Sequence, residues 1–184
     1  MDKELKLIVA QATPVGTEKM IKSNLWQLVN ATVFRVFPTK IKKPRIMLLQ
    51  LFGAKLAKTV TISRTAKIAY PWNLEMGHLS SLGAHSCVNC LDKIKIGEKC
   101  RIGENVKLLA GNHATDGDSV DQTTRTIFID NGCWISAGSC ILQGVKLGNY
   151  TMVSEKSLVD KDTEPYSIVA GRPAKAIKKA FITS

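Results

Sequence analysis

Between Ile129 and Thr163 the chain repeats with a strict period of six. Cut as IDNGCW, ISAGSC, ILQGVK, LGNYTM, VSEKSL and VDKDT, each block opens on an aliphatic: Ile129, Ile135, Ile141, Leu147, Val153, Val159. The fifth position is small or β-branched every time: Cys133, Ser139, Val145, Thr151, Ser157, Thr163. The second position is mostly small or polar. A helix repeats its faces every 3.6 residues and a strand every 2.0, so neither gives six. A chain that bends by about a third of a turn every six residues does, and three blocks then close one triangular coil. Such coils stack at the spacing of neighbouring strands. The aliphatic fills the inside of each face, the small fifth residue fits near the corner, and the other positions face out.

The register extends upstream. Ile62 and Ile68 stand six apart, Met76, Leu82 and Val88 follow after a skip of eight, and Ile96, Ile102 and Leu108 after another. Each skip adds two residues, so one corner is wider while the inward register survives. The fifth positions stay small at Ala66, Ser80, Ser86, Cys100 and Val106. After Leu108 the repeat is lost until Ile129. The segment between, GNHATDGDSVDQTTRTIF, is polar and too long for a corner. It must leave the coil as a loop and return, and a long excursion from a regular solenoid usually carries function. The expected architecture is mainly β, a parallel β-helix over residues 59–164 with the loop at 110–128. A helical basic extension over 1–58 precedes it, and an extended segment over 165–184 ends in a basic, helix-like tail.

In the extension, Thr17 reads as an N-cap and Ile21, Leu25, Leu28, Val29, Val33 and Val36 share one helical face until Pro38. Ile46–Phe52 is a short apolar segment stopped by Gly53. Arg35, Lys40, Lys42, Lys43, Arg45, Lys55 and Lys58 crowd this region with no acid among them. An amphipathic cap over the open end of the β-helix accounts for the pattern. A peripheral membrane contact, with cations beside Trp26, Phe34, Phe37 and Phe52, is compatible with it.

The net charge of +11 calls for anionic partners. Nucleic acid is set aside, because aromatics are only 6% and no zinc-finger spacing, aromatic RNA-binding motif or basic helix is present. The start has acids and one four-residue apolar run, unlike a secretory signal. No apolar run approaches the roughly 20 residues that span a bilayer. The five cysteines are odd in number, and Cys87 and Cys90 form a CxxC with no second pair at zinc spacing. A reduced, cytoplasmic protein is the expectation.

The chemistry points to His113, at the root of the excursion. A neutral imidazole is the usual general base for activating a hydroxyl or an amine. His78 and His85 fall on outward coil positions. No GxSxG elbow, Walker loop or Rossmann fingerprint is present. The histidine spacings of seven and twenty-eight fit a three-histidine zinc site poorly, so no metal is expected.

The sixes, the looped His113, the block Cys133-Trp134-Ile135 and the closing Val169-Ala170-Gly171-Arg172-Pro173-Ala174-Lys175 resemble the hexapeptide-repeat acyltransferases. Within them the chain is similar to the maltose and galactoside O-acetyltransferases, and more so to the acetyltransferases of colanic acid and other exopolysaccharide biosynthesis. Phe52-Gly53-Ala54-Lys55, Tyr70-Pro71-Trp72-Asn73-Leu74-Glu75 and Leu91-Asp92-Lys93-Ile94 carry the latter resemblance, which runs from about Ile46 to Lys178. The resemblance implies a left-handed coil and a homotrimer with active sites between neighbouring subunits. It implies direct acetyl transfer from acetyl-CoA to a sugar or glycan hydroxyl, with His113 as base. The basic N-terminal region would suit an acceptor linked to a phosphorylated lipid carrier at the membrane's inner face. Trp134 and Ala137 then line the pantetheine groove, Glu155, Asp160 and Lys161 lie along it, and Lys175 and Lys178 approach the nucleotide phosphates. Asn89 and Asp92 are implied on the acceptor side. Ala114, the shorter turn after Asn89, and Val153-Ser154-Glu155-Lys156 depart from the family pattern. An amine acceptor and a non-catalytic β-helical binding module are the alternatives.

Overall fold

The computed structural model describes residues 25–26, 28–29, 43–116 and 119–179. Three parallel sheets run along the molecule and form a triangular solenoid of five coils. Face A is built from Lys55–Leu56, Leu74–Met76, Ile94–Ile96, Ile127–Ile129 and Lys146–Leu147. Face B is built from Thr61–Ile62, Ser81–Leu82, Arg101–Ile102, Trp134–Ile135, Met152–Val153 and Ser167–Gly171. Face C is built from Lys67–Ala69, Cys87–Asn89, Lys107–Leu109, Cys140–Ile141 and Leu158–Val159. Registers such as Ile62↔Leu82↔Ile102↔Ile135↔Val153↔Val169 put each first-position aliphatic directly over the next. All of these side chains are buried. Each contributes roughly 1.5–3 kcal/mol on burial, which is why a two-residue strand repeated in every coil is enough.

Apart from the half-buried Thr163, the fifth positions are buried at the corners, and several also bond to the corner backbone. Ser80 Oγ donates to the Gly97 carbonyl at 2.7 Å, Ser139 Oγ to Ser154 at 2.8 Å and Thr151 Oγ1 to Glu164 at 3.2 Å. The thiols of Cys100 and Cys133 do the same toward Asp130 (3.0 Å) and Gly148 (3.2 Å). In each pair the carbonyl belongs to a later corner. The small side chain thus fills the corner and adds a donor to a corner carbonyl.

Face A starts at Lys55 and face B runs to Gly171, so the sheets reach beyond the 59–164 body expected from the repeat at both ends. The excursion is an antiparallel hairpin, Gly111–Asp116 paired with Ser119–Thr124, and Ile127–Ile129 is already back in face A. The C-terminal tail is a correction. Ala174–Lys179 is a strand antiparallel to Ser167–Gly171, because the chain reverses at Arg172-Pro173 and finds the free edge of face B.

At the other end the helix Lys43–Leu51 carries Pro44 in its first turn, where a missing N–H costs nothing. Gly53 (φ 100) ends it, with Ala54 N–H donating to Leu49 and Gly53 N–H to Gln50. Its inner face brings Arg45, Ile46 and Leu49 into the core. Arg45 therefore is not part of the exposed basic surface, at 1% exposure. Of the first expected helix, Leu25, Trp26, Leu28 and Val29 are described and helical; the rest, including Thr17 and Pro38, lies outside the described residues. Its buried face differs from the expected one. Trp26 points inward, while Leu25 and Leu28 are exposed. The indole wins because it packs on Phe52, with ring centroids 5.0 Å apart, and donates its N–H to the Ile68 carbonyl at 2.6 Å.

Candidate active site

All three interruptions of the repeat fall at one edge of the solenoid, where face C passes to face A. The first is Tyr70–Asn73, including a 3-10 turn at Pro71–Asn73, the second is residues 90–93, and the third is the hairpin. Because every coil has the same order of faces, insertions at equivalent places stack. The edge is tied together coil to coil. Asn73 Nδ2 donates to the Cys90 carbonyl at 2.9 Å, Ala110 N–H to Asn89 at 3.0 Å, and Ile127 N–H to Lys93 at 3.0 Å.

The root of the hairpin is set by Gly111. A Cβ there would lie 2.8 Å from Leu91 Cβ and 3.0 Å from Thr124 Cγ2, so only glycine lets the strand leave against the coil beneath. Across the root, Arg125 N–H donates to Ala110 and Gly144 N–H to Arg125. His113 is the third residue of the outgoing strand, paired with Gln122; its side chain lies outside the described residues. Asn89 ends the face C strand that enters this edge, and Asp92 lies in the edge, its Oδ1 accepting from Lys93 N–H at 2.6 Å. The fold thus assembles Asn89, Asp92 and the His113 strand on adjacent coils of one edge.

The residues implied for the cofactor divide between places. Asp160 and Lys161 occupy the same C-to-A edge on the last coil, both exposed, and Lys161 lines a hollow of about 150 Å³ with Val159, Glu164 and Ala174. Trp134 stands outward on face B, 49% exposed, between Arg101 and Met152. Ala137 and Glu155 lie at the B-to-C edge on successive coils and are exposed. Lys175 is exposed on the terminal strand beside face B; the Lys178 side chain lies outside the described residues. On a single chain, then, Trp134, Ala137 and Glu155 do not share an edge with the His113 hairpin, and Glu155 does not share one with Asp160 and Lys161.

Asn73 and Leu91, met in the sequence only as carriers of the family resemblance, and Gly111, which drew no notice there, build the hairpin edge. Their signal was present: the eight-residue skips after Ile68 and Val88 fall at the same phase as the long excursion after Leu108. His78 and His85 are exposed on the coils, as their positions required. Among the described residues no group of three or more His, Cys, Asp or Glu is arranged to hold a metal. Cys90 is fully buried, and burial, with the neighbouring Cys87 adding to it, pushes its thiol far up, away from the thiolate a ligand or nucleophile needs.

No family model matches the chain. Among individual proteins, it is 33% identical over 163 residues to a protein of Escherichia coli (strain K12) named as a colanic acid biosynthesis acetyltransferase, WcaF. The match covers 89% of this chain and 90% of that one. A chloramphenicol acetyltransferase of Klebsiella aerogenes is 34% identical over 113 residues, covering 50% of this chain and 53% of the relative. Among solved structures, a galactoside acetyltransferase in complex with coenzyme A superposes with a TM-score of 0.82 at 20% identity, over 92% of this chain and 86% of that one. The hexapeptide-repeat acetyltransferase VCA0836 of Vibrio cholerae, complexed with acetyl-CoA, superposes with a TM-score of 0.77 at 19% identity, over 92% of both chains. At these identities the superpositions establish the fold.

Proposed function

The chain belongs to the hexapeptide-repeat acetyltransferase family that includes the Escherichia coli protein, and we propose that it moves acetyl from acetyl-CoA to a hydroxyl of a sugar or glycan. The observation that carries this reading is the shared edge of Asn89, Asp92 and the His113 strand, built by three stacked interruptions of an otherwise regular solenoid. His113 accepts the proton of the acceptor hydroxyl as its oxygen attacks the thioester carbonyl. The tetrahedral oxyanion collapses, the C–S bond breaks, and the departing thiolate takes the proton back from the imidazole. Backbone N–H groups facing the oxyanion supply stabilisation of several kcal/mol, on the order of one oxyanion-hole donor. Asn89 and Asp92 hold the acceptor, and Trp134 and Ala137 offer the apolar wall for the pantetheine arm. Glu155, Asp160 and Lys161 flank that arm, and Lys175 and Lys178 meet the nucleotide phosphates.

The division of these residues between edges suits a site shared by two copies, and the working unit in this reading is the homotrimer that the family resemblance implies. The cap suits the inner face of a membrane, since Leu25, Leu28, Met47 and Leu51 are exposed in a segment rich in cations. Among the described residues no helix is long and apolar enough to cross a membrane.

The reading is tested by release of coenzyme A thiol with oligosaccharide acceptors. His113→Ala lowers turnover by about 10²–10⁴-fold, the usual weight of a general base, with coenzyme A affinity unchanged. Near-full turnover would end the mechanism, and acetylation of amines alone would move the chain to the N-acetyltransferases. For the membrane contact, the double substitution Met47→Glu and Leu51→Glu abolishes co-sedimentation with anionic vesicles; unchanged sedimentation removes that part of the reading.

A further inference from the structure

The B-to-C edge of the first two coils carries a second concave site, unlike anything on the transfer edge. Arg64, Thr65, Lys67 and His85 line a hollow of about 450 Å³, within the size range of small-molecule sites. Its wall contains no carboxylate. Coil geometry brings these residues together. Thr65 and His85 are equivalent corner positions of successive coils, joined by His85 N–H donating to Thr65 Oγ1 at 3.0 Å. Thr65 Oγ1 is braced in turn by Ser63 Oγ at 3.2 Å. Lys67 begins the next strand, in register with Cys87.

The cations here are uncompensated. On face A, Lys55 pairs with Glu75 at 3.0 Å and Lys146 with Asp130 at 3.8 Å. Among the described residues no carboxylate comes within 4.0 Å of Arg64, Lys67 or His85, although Glu104 stands at the same edge one coil further on. Planar guanidinium, ammonium, imidazole and hydroxyl groups lining a hollow without a carboxylate form the donor set that oxyanions take up.

We propose that the hollow formed by Arg64, Thr65, Lys67 and His85 binds a phosphate or diphosphate group. The group can be presented by a membrane lipid headgroup or by a soluble phosphorylated compound; the recognising chemistry is the same. Within one chain the hollow lies on a different edge from His113 and on earlier coils than Ala137 and Glu155, and the proposal does not rest on the transfer reaction.

Isothermal titration with inorganic pyrophosphate tests it on the full chain, with saturating coenzyme A present so that any nucleotide site is filled. Wild-type protein and His113→Ala bind one pyrophosphate per chain with equal affinity. The double substitution Arg64→Ala and Lys67→Ala weakens that binding at least about tenfold, whereas Lys58→Ala with Lys99→Ala, which removes the same charge from another edge, leaves it unchanged. Circular dichroism melting of both doubles checks that the coils remain intact. Sedimentation with phosphatidylglycerol vesicles forms the second arm. Vesicle binding lost in the first double and kept in the second assigns the site to a lipid headgroup, and pyrophosphate binding without vesicle binding assigns it to a soluble ligand. No saturable binding, or equal losses in the two doubles, overturns the proposal.

Discussion

The fourth residue of most sixes takes a left-handed backbone at the corner. Gly132, Gly138 and Gly144 do so with φ of 70–79°, but Leu79, His85, Lys99, Asn105, Tyr150 and Lys156 hold φ of 54–58° with side chains attached. Such a conformation costs an ordinary residue roughly 1–2 kcal/mol, and glycine's extra chain entropy offsets roughly 0.5–1 of that. Leu79 is exposed, and its backbone N–H, not its side chain, holds the corner by donating to Thr59 Oγ1 at 2.9 Å. Leu79→Gly therefore raises stability by up to about 1 kcal/mol in urea unfolding; a loss would mean that the leucyl group packs on something essential. Tyr150 occupies its corner for a reason visible only in three dimensions. Its ring lies on Gly132, where a Cβ would come within 2.5 Å of it, and stacks on Tyr166 at 5.2 Å. The inward aliphatics and the small fifth residues were legible in the sequence because each has one demand repeated in every coil. The fourth position was not, because so many non-glycine residues meet the same backbone demand.

At the scale of elements, the hairpin depends on a packing contact two residues before His113. Gly111→Ala sets a Cβ against Leu91 Cβ, which belongs to the coil backbone's first carbon and has no rotamer to yield. The strand must shift by several tenths of an ångström, and displacement of a reacting group on that scale can cost up to about 10²-fold in rate. The expected result is turnover lowered at least tenfold with coenzyme A affinity unchanged, measured by thiol release and by titration. Unchanged turnover would show that the root does not position His113. The cap and the tail teach a related lesson. Period alone chose Leu25 and Leu28 for the buried face of the first helix, but Trp26 offers more area and an N–H that meets a buried carbonyl. The basic tail had a helical composition, but the open edge of face B supplied backbone partners that an isolated helix turn lacks.

At the scale of the whole molecule, the residues proposed for one reaction lie on separate edges of one chain, which makes the assembly testable by mixing. Trp134→Ala and His113→Ala are each nearly inactive alone. Refolded together in equal amounts, they regain about a quarter of wild-type turnover if each site takes the base from one subunit and the groove wall from its neighbour, since that fraction of interfaces is intact. No recovery would place both residues in the same subunit's site.

What the sequence determined by itself is the solenoid. A period of six with an aliphatic first and a small fifth residue admits one way of burying the apolar stripe, and every coil repeats the evidence. It also determined where the pattern breaks, and hence that His113 belongs to an excursion. Only the tertiary structure decided that the three breaks share an edge, that Gly111 seats the hairpin against Leu91, and that Arg64, Lys67 and His85 face one hollow. The reason is physical: periodicity records which way each residue faces within its own coil. Neighbours between coils depend on how many residues each corner absorbs and on contacts made some twenty residues apart in the chain, where the sequence carries no local signal.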